Sequence, residues 1–421
     1  MKFQILSHRL TFFRARQGVA SVIAFLLIAG QLMAPLRSYG FSIGEERIIG
    51  EQLLLAVRSE FDLLDDPDIV QYINGLGQQV LEVAGPQYFD YHFFVVRNDQ
   101  FNAFAAPSGL IFFNTGLIKT MKSEEQLLSV LAHEVGHVVS RHISNRIAKQ
   151  EKVTAASMLF GLASLAVGNP ALIQGLFTGA LAANRTVGLN FSRQDEEQAD
   201  RLAFDWLLSM GRDPYSMEAM LKSMRRITRY RSEQLPPYLL THPNPEDRLH
   251  YVQSLLEVES EVTYRTGRTP VDNFAFHRFK YRVLSKAMEP EELRIYCANI
   301  LVSNKSPDAL AMAHYGLALL SAEETDFKEA VRQLEIVRQE YPDREILHVD
   351  LAALYVASGE LDKALQLLLQ SYQRDPTDMY CAFELARAMA AKGRPDMAEK
   401  FYLEVERPYL NIHNSTMSLA G

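Results

Sequence analysis

Within residues 43–85, apolar side chains recur at Ile69, Tyr72, Ile73 and Leu76 among helix formers, the spacing that lines one face of a helix. Amphipathic helices are predicted there. The pattern then changes: residues 91–96 and 109–114 are short β-branched and aromatic runs, the second beginning at the turn text Pro107-Ser108-Gly109. Residues 101–105 form a further extended candidate between them. Ser123 and Gln126 make a capping-box pattern ahead of Leu127, Leu128, Val130 and Leu131 at helical spacing, so a helix carries the text that follows. Residues 153–183 are unusually apolar and are broken at Gly168, Asn169 and Pro170, leaving two halves too short to span a bilayer comfortably. They read as a helical hairpin of core helices, with contact to a membrane surface as the alternative.

The last third is nearly all helix formers and repeats itself. Leu317, Leu351 and Leu385 are spaced by 34 residues, as are Ala318, Ala352 and Ala386, and Ala330, Ala364 and Ala398. Pro342 with Pro376 and Gly359 with Gly393 keep the interval. This is the tetratricopeptide period, in which small residues let paired helices pack closely. A degenerate helical pair between Phe279 and Leu301 precedes the three units. Such an array implies a concave surface for peptides or proteins.

The N-terminus differs from both regions. Lys2, Arg9, Arg14 and Arg16 precede an apolar run from Val19 to Ala34, closed by Pro35 and Arg37, with Ser38 and Gly40 placed for a cut before Phe41. Residues 1–40 are therefore expected to be a signal peptide, with a retained anchor as the alternative. The expected division is 41–265 as a catalytic domain, 266–405 as the helical repeats and 406–421 as a tail. Cys297 and Cys381 are the only cysteines, which in an oxidising compartment leaves open one disulfide or two buried thiols. The net charge of -8, without a long basic run, argues against nucleic acid as a partner.

The candidate chemistry lies in His133-Glu134-Val135-Gly136-His137, an H-E-x-x-H pattern on the helix expected after Ser123. Residues four apart share a helix face, so both imidazoles reach one ion while Glu134 stands beside them. In Ser192-Arg193-Gln194-Asp195-Glu196-Glu197-Gln198-Ala199-Asp200, Glu196 is the expected third ligand and leaves the fourth position open to water. Asp200, one turn on, is expected to accept a hydrogen bond from the outward nitrogen of a ligand histidine. One zinc per subunit suits this set, although ligand type alone admits other divalent ions. Glu134 is the expected general base. His242 and Arg248 are weaker candidates, to stabilise an oxyanion or close the open position. His142 and His250 are left as structural or surface residues.

With these residues in hand, the chain resembles the zinc metalloprotease family of the CAAX-prenyl endopeptidase and the heat-shock protease HtpX. Within it, the chain looks most like the periplasmic branch of β-barrel assembly-enhancing proteases with a tetratricopeptide tail. The matching text is Asn102-Ala103-Phe104-Ala105, Gly109 with Asn114-Thr115-Gly116-Leu117, the His133 to His137 motif, Asp195-Glu196 with Ala199-Asp200, and Thr241-His242-Pro243 with Arg248. Gln198 stands where the family usually has Glu, at a position not assigned to the metal. The resemblance implies a fold that is mainly α with a small β-sheet, a gluzincin-type domain followed by an α-solenoid. It also implies Glu196 as ligand, His242 near the metal, and quality control of misassembled outer-membrane proteins with the repeats docking on the assembly machinery. The competing reading is a tetratricopeptide adaptor or chaperone with a latent metal site.

Overall fold

The computed structural model describes residues 42–148, 191–230, 236–263 and 272–405. The expected signal peptide, the apolar residues 153–183 and the tail lie outside the described residues. Two helices open the described chain, α1 (Ile43–Glu60) and α2 (Pro67–Ala84). Ser42 caps α1 in a reciprocal box with Glu45, and Asp66 caps α2 ahead of a proline at its first turn.

Three short strands follow, β1 (His92–Val96), β2 (Ala103–Ala106) and β3 (Leu110–Asn114). They form a sheet in the order β1-β3-β2, with β1 parallel and β2 antiparallel to β3. Alternation sorts their side chains. Phe93, Val95, Ala103, Ala105, Ile111 and Phe113 enter the main core, while Val96, Phe104, Ala106, Leu110 and Phe112 pack with Leu53, Leu54 and Val57 of α1. The sheet is thus covered on both faces, and every residue of β2 and β3 is buried.

After the short α3 (Thr115–Thr120), helix α4 (Glu124–Val139) crosses the core and is buried along nearly its whole length. Its start differs in one detail from the expected box. Ser123 accepts from the Gln126 amide, but the Gln126 side chain reaches past the cap to the Lys122 amide at 2.8 Å. Helix α5 (His142–Ala148) follows, then α6 (Arg193–Ser209), α7 (Tyr215–Tyr230), the short α8 (Pro237–Thr241) and α9 (Pro245–Thr263).

The remainder is helical: α10 (Phe274–Ala287), α11 (Pro290–Ser303), α12 (Pro307–Glu323), α13 (Phe327–Glu340), α14 (Ile346–Ser358), α15 (Leu361–Arg374), α16 (Met379–Ala391) and helical residues 395–405. Gly359 and Gly393, the repeating glycines, both take positive φ where a helix ends and the chain reverses. Cys297 and Cys381 are buried free thiols in separate cores.

Helix α10 belongs to two cores at once. Phe276, Phe279 and Val283 enter the core around α4, whereas Phe274, Tyr281 and Leu284 enter the first solenoid core. The boundary drawn at residues 265 and 266 falls just ahead of it, among residues 264–271, which are not described. Two arginines on α10 bind the halves further. Arg278 reaches Asp68 at 2.8 Å and Asp350 at 2.7 Å, and Arg282 reaches Asp66 at 2.9 Å and Asp68 at 2.8 Å. Among the described residues, no helix is long and apolar enough to cross a membrane.

Candidate metal centre

The motif helix presents His133 and His137 one turn apart, with Nε2 atoms 3.1 Å from each other. Helix α6 brings the third candidate. Its start is fixed by a capping box in which Ser192 and Asp195 each bond the other's backbone amide, so Glu196 falls in the first turn. Gly136 permits α6 to come close, since a Cβ there would stand 3.2 Å from backbone atoms of Ala199. Glu196 Oε1 then lies 3.4 Å from His137 Nε2, and Oε2 lies 3.5 Å from His133 Nε2.

His242 joins this group from the end of α8. Its Nδ1 lies 3.3 Å from His133 Nε2 and 3.0 Å from Glu196 Oε1. The ring stacks on Tyr238 with centroids 4.3 Å apart. One ligand atom from each of His133, His137, Glu196 and His242 lies within 4.8 Å of all the others, and all four residues are buried.

Asp200 and Arg248 sit behind the ligand atoms. Asp200 Oδ1 is 2.9 Å from His133 Nδ1, the outward ring nitrogen. Arg248 grips Asp200 through Nε and Nη2, at 2.9 and 2.7 Å, and places Nη1 3.0 Å from Glu196 Oε2. Asn244, in the left-handed region, turns the chain between His242 and α9, and its carbonyl accepts the Arg248 amide.

Glu134 is fully buried, and among the described residues neither of its oxygens finds a hydrogen-bond partner, although Oε1 lies 3.4 Å from His242 Nε2. An unbonded buried carboxylate is costly unless something else faces it. The donor set of imidazole nitrogens and a carboxylate, with this orphaned acid beside it, fits a divalent transition ion.

Protonation without an ion is consistent with that fit. Burial works against imidazolium at His133, but Asp200 and Glu196 outweigh it and push the residue up to about 9. At His137 burial dominates and holds the pKa well below the ordinary value. Burial would raise Glu196, yet its interactions with His242 and Arg248 and its hydrogen bonds with His133 and His137 keep it well below the usual carboxylate range.

The two histidines set aside at the sequence level part company here. His250 is exposed. His142 is buried, with Nδ1 3.0 Å from His137 Nδ1. Its spacing hid it: His142 lies five residues beyond His137, off the helical repeat.

The model of peptidase family M48 matches residues 68–256, and a tetratricopeptide repeat model matches residues 321–371. The chain is 36% identical over 210 residues to the β-barrel assembly-enhancing protease of Escherichia coli K12, covering 49% of this chain and 43% of that protein. The protein of that name in Yersinia pestis is 30% identical over 251 residues, covering 55% and 51%. The mitochondrial metalloendopeptidase OMA1 of Arabidopsis thaliana is 30% identical over 187 residues, covering 43% and 35%. The matched part therefore spans about half, or less, of each relative. Residues 68–256 thus resemble peptidase family M48, and residues 321–371 resemble tetratricopeptide repeats.

Proposed function

We propose that the chain is a zinc-dependent endopeptidase of the bacterial cell envelope, with His133, His137 and Glu196 holding the ion. The observation that carries this reading is the convergence of these three residues beside an acid, Glu134, that finds no hydrogen-bond partner among the described residues. A bound zinc ion acidifies water to a pKa of about 7 and polarises a peptide carbonyl. Glu134 takes the proton of the attacking water and delivers it to the departing amine. Asp200 holds His133 through Nδ1, and Arg248 holds Asp200 and Glu196, so the ligands are oriented before substrate arrives.

His242 would offer a fourth donor to the ion, in the position that a catalytic site keeps for water or substrate. This closed set supports a second reading, in which the repeats act as an assembly adaptor or chaperone and the metal site is latent.

The substrates on the first reading are misfolded or misassembled outer-membrane proteins, in line with the names of the relatives that match. The repeat array offers the docking surface for the β-barrel assembly machinery. Residues 1–40 direct export to the periplasm, and peripheral contact with a membrane is compatible with this placement. Residues 41–265 serve as the catalytic domain and 266–405 as the repeat domain.

The test is cleavage of casein by purified protein, comparing wild type, Glu134→Gln, and a chelated sample restored with zinc. Loss in the mutant and on chelation, with recovery on zinc, supports the protease. Inactivity throughout with zinc bound supports the latent site, and His242→Ala then shows whether removing the fourth donor releases activity.

A further inference from the structure

The M48 motif helix ends at Val139, and the next two residues reverse the chain. Arg141 adopts a left-handed backbone, φ 53°, which costs energy for a side chain with a Cβ. Glu46 of α1, itself buried, holds it there through two contacts, 2.9 Å to Nε and 2.8 Å to Nη2. This clamped turn swings α5 so that His142 returns against His137, the two rings lying edge to face with centroids 5.0 Å apart.

The facing atoms are both Nδ1, at 3.0 Å, so one proton lies between them. The other nitrogen of His142 has oxygens around it: Gln198 Oε1 at 3.2 Å and Asp195 Oδ1 at 3.7 Å. A ring nitrogen facing acceptors carries the proton. His142 is then a donor at Nε2 and an acceptor at Nδ1, and the shared proton belongs to His137 Nδ1. That tautomer leaves the lone pair of His137 on Nε2, which points at His133 Nε2 and Glu196. His133 has Asp200 for the same purpose, whereas among the described residues His142, and no carboxylate, faces the outward nitrogen of His137.

We propose that His142 is a positioning residue that fixes the tautomer and ring orientation of His137 for metal binding, with Gln198 anchoring its far side. This rests on the metal site proposed above and adds a residue to it. Gln198 also gains a function, since its amide oxygen accepts the hydrogen bond from His142 without adding another negative charge beside Glu196.

The experiment measures zinc affinity of the full chain by competition with a chromophoric chelator, a readout independent of proteolysis. His142→Phe keeps a ring and removes both nitrogens; zinc affinity falls about 10–100-fold. His142→Asn presents an amide oxygen near the lost Nδ1 and recovers most of it. Equal affinity in wild type and His142→Phe overturns the proposal, as does an Asn variant that falls as far as Phe while both metal-free proteins melt like wild type. Should the Phe variant fail to fold, long-range ¹H–¹⁵N correlation on the zinc-loaded wild type reads the tautomers directly. Protons on His137 Nδ1 and His142 Nε2 support the relay, and the reverse pattern overturns it. A wild type that binds no zinc removes the metal site itself; a wild type that binds zinc while His142→Phe binds equally removes the relay alone.

Discussion

Two buried polar clusters lie in this chain, one around the H-E-x-x-H helix and one where α10 meets the repeats, and they are built on opposite principles. At the junction Arg278 and Arg282 face Asp66, Asp68 and Asp350, and each guanidinium is held by at least two carboxylates. Those charges complete one another. At the metal centre the donor atoms converge on one point, and among the described residues Glu134 is left without a hydrogen bond. A structural cluster is satisfied by its own members, whereas a site for an ion and a substrate leaves groups waiting for both.

The contrast is sharpest at Glu134. Glu134→Gln is expected to lower casein turnover by at least about a hundredfold, the lower end of what a positioned acid–base group contributes. Zinc content and melting temperature stay near those of the wild type, because the carboxylate makes no hydrogen bond with any described residue. Turnover assays with metal analysis and a thermal melt check both halves. A large loss of stability instead would erase the distinction between the clusters.

The reverse result is expected at the junction. Arg278→Met leaves Arg282 as the one guanidinium facing the buried carboxylates of Asp66, Asp68 and Asp350, a loss of about 3–5 kcal/mol. Denaturant titration reads it. The triple variant Arg278→Met with Asp68→Asn and Asp350→Asn recovers a large part, since the cost lies in the stranded charges.

A smaller effect is expected at Gly136, where α4 and α6 meet. Gly136→Ala places a Cβ 3.2 Å from Ala199 backbone and pushes Glu196 away from the histidines, lowering stability by about 1–3 kcal/mol and weakening zinc affinity together. Chelator competition and a melt on the same sample show whether the two move together.

The smallest effect marks the baseline. Lys119 and Glu292 pair at 2.7 Å between α3 and α11, with both side chains partly exposed to water. Lys119→Ala should cost less than about 1 kcal/mol, and less still in high salt. A loss comparable to that of Arg278→Met would mean that burial is not what separates the junction from the surface.

Legibility in the sequence followed distance along the chain. His133, Glu134 and His137 share one helical turn, and the leucine and alanine triplets share one interval, so local text was enough for both. Glu196 and Asp200 required a second helix but kept helical spacing. Strands β1 and β3 stood out as β-branched and aromatic runs, and β2 as the extended text between them. His142 was passed over because its contact depends on Arg141 taking a left-handed turn, and arginine carries no signal for that conformation. His242 and Arg248, 109 and 115 residues from His133, had no spacing to recommend them, only their chemistry and the family resemblance.

The sequence by itself determined the periodicities: which segments are helices, where the repeats fall, and which face of α4 carries two imidazoles and an acid. These depend on interactions three or four residues apart, which any chain with this text will make. The tertiary structure alone decided that α10 serves two cores, that Arg278 meets Asp68 across 210 residues, and that His242 points into the ligand cluster. Those pairings arise from the packing of whole elements, in which each buried charge must find its partner wherever the fold places one.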